Sequence, residues 1–269
     1  IQAETVEQAG MVIDKIIAYE NSPSESLKKD LLFITGGFDA TEQRMFMNQS
    51  NYLIQNYVLP PPASCRALQI NKTTEGYFEG EKKPEVLAAM NKGLLWVNFV
   101  GHAGSRTWDL MFSHPDIEEL TNENKYPFIT SMTCHTGRFA NPEMDSFGEH
   151  FLLSDRKGAI AFWGTTGWGY VFQDNVLLKN IFKGTMVDTI HTLGPATTYA
   201  KLKLWEGYGS GIYNINTINQ YTLLGDPVID LALPEQPDLT IGPQDVTFSP
   251  VAASEADSIV MIKIKLQNW

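Results

Sequence analysis

GLLWVNFVG (93–101) is apolar at nearly every position and bounded by glycine at both ends. A strand with one wet face alternates apolar and polar residues, whereas an unbroken apolar run is expected in a parallel sheet covered on both faces. The same pattern recurs outward along the chain. LLFITGG (31–37), CRALQI (65–70), PFITSM (127–132) and AIAFWGTT (159–166) read as further strands. Helical patterns lie between them. Residues 41–58 carry Met45, Tyr52, Leu53 and Tyr57 at helical spacing behind Thr41, which reads as the cap. Residues 83–93 have Pro84 at the start and Gly93 at the end. Residues 114–123 have Pro115 in the first turn and acids that suit the helix dipole, and 145–154 place Phe147, Phe151 and Leu152 on one face. Strands alternating with helices predict an α/β fold with a mostly parallel sheet.

The two ends differ from this middle. The chain opens on an amphipathic helix, with Thr5 and Gln8 spaced as a capping box and Val12, Ile13, Ile16 and Ile17 as its apolar face. Opening so abruptly, it reads as a piece of a longer protein. After LLGDPVIDLALP (223–234) the helical period is lost, and DLTI, DVTFSP and SIVMIKIKLQNW alternate between Pro and Gly turns. That is β-sandwich patterning cut short, so residues 1–236 and 237–269 are expected to be separate domains.

Composition excludes several roles. The chain has 31 acids against 20 Lys and Arg in 269 residues, a net charge of −11, and no basic run, which argues against nucleic acid and anionic membranes. Aromatics at 11% and charged residues at 19% argue against disorder. No apolar stretch reaches transmembrane length. The five histidines show no HxxxH spacing and the two cysteines no CxxC, so no metal site is expected. Asp145 and Glu149, four apart on a helix, read as a solvated face.

Two residues sit where chemistry collects. His102 follows the strand ending at Val100, and Cys134 follows the strand ending at Met132. Their separation fits one strand–helix–strand unit with the 114–123 helix as crossover, which puts both at the carboxyl edge of the sheet. An imidazole there can take a thiol proton and later protonate a leaving amine. The amides of Cys134 and of the Ala103–Gly104 segment can receive an oxyanion. A lone cysteine in an apolar segment is as often a small buried hydrophobe, and a Cys65–Cys134 disulfide is a third arrangement. His135 is a rival base by sequence, but adjacent side chains on an extended segment point to opposite faces.

VNFVGHAGSRTW around His102, FITSMTCHTGRF around Cys134, AIAFWGTTGWGY and YTLLGDPVIDLALP resemble the gingipain family of cysteine peptidases, as does the opening ETVEQAGMVIDKIIAYE. The resemblance spans roughly residues 4–234. It implies a caspase-like three-layer α/β sandwich, with Cys134 as nucleophile, His102 as general base and acid, and Ala103 and Cys134 supplying oxyanion amides. It also implies protein or peptide substrates, an extracellular or cell-surface location, an N-terminal subdomain outside this chain, and an immunoglobulin-like module beginning at 237. No cofactor is required, and a structural calcium is compatible with the resemblance. The family's orienting acid falls at Thr35-Gly36-Gly37, so the nearest carboxylate, Asp39, is the expected stand-in. Ala103 replaces a usual glycine and Thr133 a usual alanine. Trp168 matches the family's tryptophan over the substrate pocket, and Phe172 stands where lysine-specific members carry an acid. That argues against a basic preference unless Asp174 supplies the charge. A sortase-like transpeptidase and a silent interaction module of the same fold are the alternatives.

Overall fold

The computed structural model describes residues 3–21, 29–141, 143–233, 239–240, 246–249, 261–264 and 267–268. The chain divides into two compact units, Ile1–Leu233 and Pro234–Trp269.

In chain order the first unit contains α1 (Val6–Glu20), β1 (Asp30–Thr35), α2 (Ala40–Leu53), β2 (Arg66–Asn71), α3 (Lys83–Lys92) and β3 (Trp96–Val100). It continues with β4 (Ala103–Gly104), β5 (Thr107–Trp108), β6 (Phe112–Ser113), α4 (His114–Ile117), β7 (Phe128–Met132) and α5 (Phe147–Leu153). Then come β8 (Ala161–Thr165), α6 (Val171–Met186), α7 (Leu193–Tyr208), α8 (Ile212–Gln220) and β9 (Tyr221–Gly225). The main sheet has the order β2-β1-β3-β7-β8-β9. Every neighbouring pair is parallel except β8 and β9. The sequence pattern does not reveal that closing antiparallel strand.

Burial on both faces explains the unbroken apolar runs. Leu31, Phe33, Trp96, Phe128 and Trp163 point into one core with α2, α6 and α7. Leu32, Ile34, Val97, Phe99, Ile129 and Phe162 point into the other with α3 and α5. This is the three-layer arrangement expected of such strands.

Local chemistry moves several boundaries. The helix expected over 41–58 is α-helical to Leu53 and continues as a π-helical turn, Ile54–Val58. Its N-cap is Asp39, not Thr41. The crossover between β3 and β7 is mostly the small antiparallel sheet β4-β5-β6, and its helix is only the single turn α4. Glu149 does not lie on a solvated face: its Oε2 accepts from Ser146 N at 2.8 Å, and Ser146 Oγ accepts from Glu149 N at 3.3 Å, a capping box that starts α5. In α1 the buried residues are Val12, Lys15 and Tyr19, while Ile13 and Ile17 are exposed.

The second unit, among the described residues, holds two antiparallel ladders. β10 (Leu239–Thr240) pairs β13 (Gln267–Asn268), and β11 (Val246–Ser249) pairs β12 (Met261–Ile264). Much of the immunoglobulin-like patterning read from the sequence lies outside the described residues. No helix among the described residues is long and apolar enough to cross a membrane.

Lys15 explains how α1 is fastened. Its Nζ donates to the carbonyls of Phe151, Leu152, Ser154 and Lys157, at 3.2, 2.9, 3.3 and 2.7 Å. Phe151, Leu152 and Ser154 lie at the C-terminal end of α5 and Lys157 in the turn beyond it, where a cation suits the carbonyls; Phe151 O also accepts from Ala159 N at 2.9 Å. Burial lowers the Lys15 pKa from 10.5 to about 7, against the pull of Asp155. Lys15→Met should therefore cost about 2 kcal/mol, because the carbonyls of Leu152, Ser154 and Lys157 lose this donor. Folded Lys15 releases its proton before unfolded Lys15, so the unfolded state binds more protons between these two values. The wild type should gain stability relative to Lys15→Met as pH rises from about 7 toward 10.5. Urea midpoints across that range check both; an unchanged midpoint at neutral pH contradicts the account.

Candidate active site

Parallel pairing of β3 with β7 sets Val100 opposite Met132. His102 and Cys134 each follow two residues later, so they leave the sheet level with one another at its carboxyl edge. The strand order reverses between β1 and β3, beside His102, since the chain runs from β1 out to β2 and back across to β3. Such switch points open crevices in α/β sheets.

Cys134 is a free, half-buried thiol, and Cys65 is free and buried, so the two are not a disulfide. Burial is the main influence raising the Cys134 pKa, and Asp174 adds to it; the Gly169 N–H, which donates to Sγ at 3.4 Å, opposes both. Immediately after it, His135 adopts φ 60°, a left-handed bend that turns the chain sharply away from the strand. The His135 N–H donates to Gly167 O at 2.8 Å, and its ring lies edge-on to Trp168 at 4.7 Å between centroids. Its side chain therefore packs on the Gly167–Gly169 segment.

His102 is held from three sides. Its Nε2 lies 2.9 Å from Glu42 Oε2, and its ring meets Phe46 edge-on at 6.1 Å. Its backbone N–H donates to Asp109 Oδ2 at 3.2 Å, and its carbonyl accepts from Asp109 N at 2.9 Å. With Nε2 given to Glu42, Nδ1 is the nitrogen left for proton transfer. The imidazole side chain is 43% exposed, so solvent and ligand can reach it.

The carboxylate at the imidazole is thus Glu42, and the expectation for Asp39 is corrected. Asp39 Oδ1 folds back to accept from Thr41 N at 2.8 Å and Glu42 N at 3.0 Å. A side chain engaged as N-cap cannot also reach across the sheet edge. Glu42 stands three residues later, where a capping-box acid projects, and its Oε2 also accepts from Phe38 N at 2.8 Å. The D-A-T-E spacing of 39–42 was the available signal.

Asp109 escaped the sequence reading. It is buried, with φ 49°, and its Oδ2 also accepts from Gly37 N at 2.7 Å. One carboxylate oxygen thereby ties the exit of β1 to the exit of β3. Burial raises its pKa, opposed by the Gly37 and His102 N–H groups. A Cβ on Gly36 would lie 1.6 Å from Asp109 Oδ2, so glycine is required there. A side chain is thereby excluded at Gly36, and the carboxylate that meets His102 comes from α2.

Ala103 and Gly104 sit in β4 opposite Trp108 and Thr107. Trp168 is 63% exposed and Phe172 52% exposed, and Phe172 is edge-on to Tyr208 at 5.0 Å between ring centroids. Asp174 is not exposed with these aromatics. It is buried, and a Cβ on Gly169 would lie 2.6 Å from its Oδ2 and 2.9 Å from Thr133 C. Among the described residues, no group of three His, Cys, Asp or Glu side chains is disposed to hold a metal ion.

Asp109→Ala should destabilise the fold by about 2 kcal/mol by leaving two amides without an acceptor. Asp109→Asn, which keeps an accepting oxygen, should cost distinctly less. Chemical denaturation of both variants checks this, and equal losses contradict the tie between β1 and β3.

Known proteins bear on these features. Residues 1–232 match the model of peptidase family C25. Lys-gingipain HG66 of Porphyromonas gingivalis is 24% identical over 182 residues, 65% of this chain. Gingipain R2 of Porphyromonas gingivalis is 30% identical over 165 residues, 58% of this chain. The chain spans 10% and 22% of the length of these two relatives. Among solved structures, the Arg-specific cysteine proteinase gingipain R superposes with TM-score 0.69 at 20% identity, covering 89% of this chain and 57% of that one. The sheet order, its layers and the family match agree: the chain belongs to peptidase family C25, with the caspase-like fold of the gingipains.

Proposed function

We propose that the protein is a cysteine-type endopeptidase in which Cys134 is the nucleophile, His102 the general base and acid, and Glu42 the orienting carboxylate. The supporting observation is the His102–Glu42 pair at 2.9 Å on a strand end level with the Cys134 thiol.

The chemistry follows from those positions. Nδ1 of His102 takes the thiol proton, and the Sγ thiolate adds to the scissile carbonyl carbon. The carbonyl electron pair moves to oxygen, which receives hydrogen bonds from the amides of Cys134 and of the Ala103–Gly104 segment. Collapse breaks the C–N bond, and the His102 imidazolium gives its proton to the departing amine. A water deprotonated by His102 then cleaves the thioester, freeing the carboxylic acid and the thiol. Glu42 holds the tautomer with its proton on Nε2 and steadies the imidazolium, as a carboxylate does in catalytic triads. No step calls on a cofactor.

The substrate side chain before the scissile bond lies against Trp168 and Phe172. A lysine or arginine there would lose water without gaining a carboxylate, because Asp174 is buried beneath Gly169. Aromatic and large aliphatic side chains suit these rings.

Turnover of a peptide library tests this. Cys134→Ala and His102→Ala should each remove nearly all cleavage, and the double variant should be scarcely worse than either. Glu42→Gln should lose about tenfold in kcat, or ~1.4 kcal/mol. Asp39→Ala should chiefly lower stability, by about 1 kcal/mol, as a lost N-cap does. Cleavage should follow aromatic or aliphatic residues. Full activity of Cys134→Ala, or cleavage confined to basic residues, contradicts the proposal.

A further inference from the structure

One titratable group beside the nucleophile has no part in the mechanism above. Asp174 lies in the first turn of α6, 5% exposed, with the Tyr221 phenol as its side-chain hydrogen-bonding neighbour, which opposes the effect of burial, and with no cation beside it among the described residues. Its Oδ2 rests against Gly169, close enough that a Cβ there would lie 2.6 Å away. Gly169 in turn donates its N–H to Cys134 Sγ at 3.4 Å, and the same Cβ would meet the Thr133 carbonyl carbon at 2.9 Å. The acid, the glycine and the nucleophile therefore form one packed stack.

Few groups share that space. From β9, the phenol of Tyr221 faces Asp174 and is fully buried, which pushes its own pKa well up. From the turn after β7 comes the Cys134 thiol, and from the start of α6 the Tyr170 carbonyl, which accepts the Asp174 N–H at 2.8 Å. Lys201 of α7 donates to the Tyr221 carbonyl at 2.6 Å. No lysine or arginine among the described residues pairs with Asp174 itself. A buried carboxyl without a cation keeps its proton to high pH.

We propose that Asp174 is a positioning residue for the nucleophile whose protonation state sets the reactivity of Cys134. Neutral, it packs under Gly169 and leaves the Gly169 N–H to stabilise a thiolate. Ionised, it places a second negative charge behind the sulfur and disfavours that thiolate. Burial raises its pKa from 3.8 to about 7, which puts the change within the range where a cysteine peptidase works. The inference rests on Cys134 being the reactive thiol, so its test reads thiol chemistry and not turnover.

The rate of Cys134 alkylation by iodoacetamide should be followed against pH in the full chain, with peptide mapping to separate it from Cys65. In the wild type, two interacting groups should give a profile broader than one ionisation, rising less steeply above pH of about 7. In Asp174→Asn the shallow limb should disappear, leaving the thiol coupled only to His102, with its midpoint at lower pH and severalfold faster labelling at neutral pH. Stability supplies a second reading. The folded acid keeps its proton longer than the unfolded one, so the wild type loses stability as pH rises from 3.8 to about 7. Asp174→Asn should therefore be relatively more stable above that window than below it. A single-ionisation wild-type profile, or an Asp174→Asn profile superimposed on it or displaced to higher pH, overturns the proposal. Failure of the peptidase reading is distinct: no peptide cleavage, with these labelling profiles intact.

Discussion

The register of β3 against β7 is the constraint on which the site depends. Parallel strands paired at Val100 and Met132 must release His102 and Cys134 side by side. The register is held by apolar rows on both faces and by polar links between strands. Trp96 Nε1 donates to Thr130 Oγ1 at 2.9 Å, Thr130 Oγ1 to Asn98 Oδ1 at 2.8 Å, and Trp108 Nε1 to Ser131 Oγ at 2.8 Å. These buried donors and acceptors lose their partners if the strands slip, so the sheet resists any other pairing.

Around that edge, three carboxylates do different work because their surroundings differ. Glu42 is one-third exposed and faces the imidazole, where a negative charge is welcome. Asp109 is buried but receives two backbone N–H groups on one oxygen, and so acts as a brace. Asp174 is buried without a cation, and burial raises its pKa to about 7 against the hydrogen bond of Tyr221. Burial and hydrogen bonding give identical functional groups different surroundings.

The strands were legible because two-sided burial leaves an unbroken apolar signature, as in 31–35 and 96–100. Placing His102 and Cys134 at one sheet edge needed only the order of strands and their direction. The remainder depended on contacts distant in sequence. β9 runs antiparallel beside β8, and nothing local to Tyr221–Gly225 states its direction. The choice between Asp39 and Glu42 turned on a helix cap: the first acid folds onto its own helix and the second reaches past it. Asp109 and Asp174 stand alone in the sequence, and only the folded chain shows what each carboxyl meets.

The account's central claim is that Cys134 and His102 form one reactive unit. Covalent trapping tests it most directly, using a short peptide that ends in an aromatic residue and carries a ketone electrophile with a leaving group. After proteolytic digestion, mass spectrometry should find a single adduct on Cys134, strongly diminished in His102→Ala. An adduct on Cys65, or on Cys134 at an undiminished rate without the imidazole, would contradict the account.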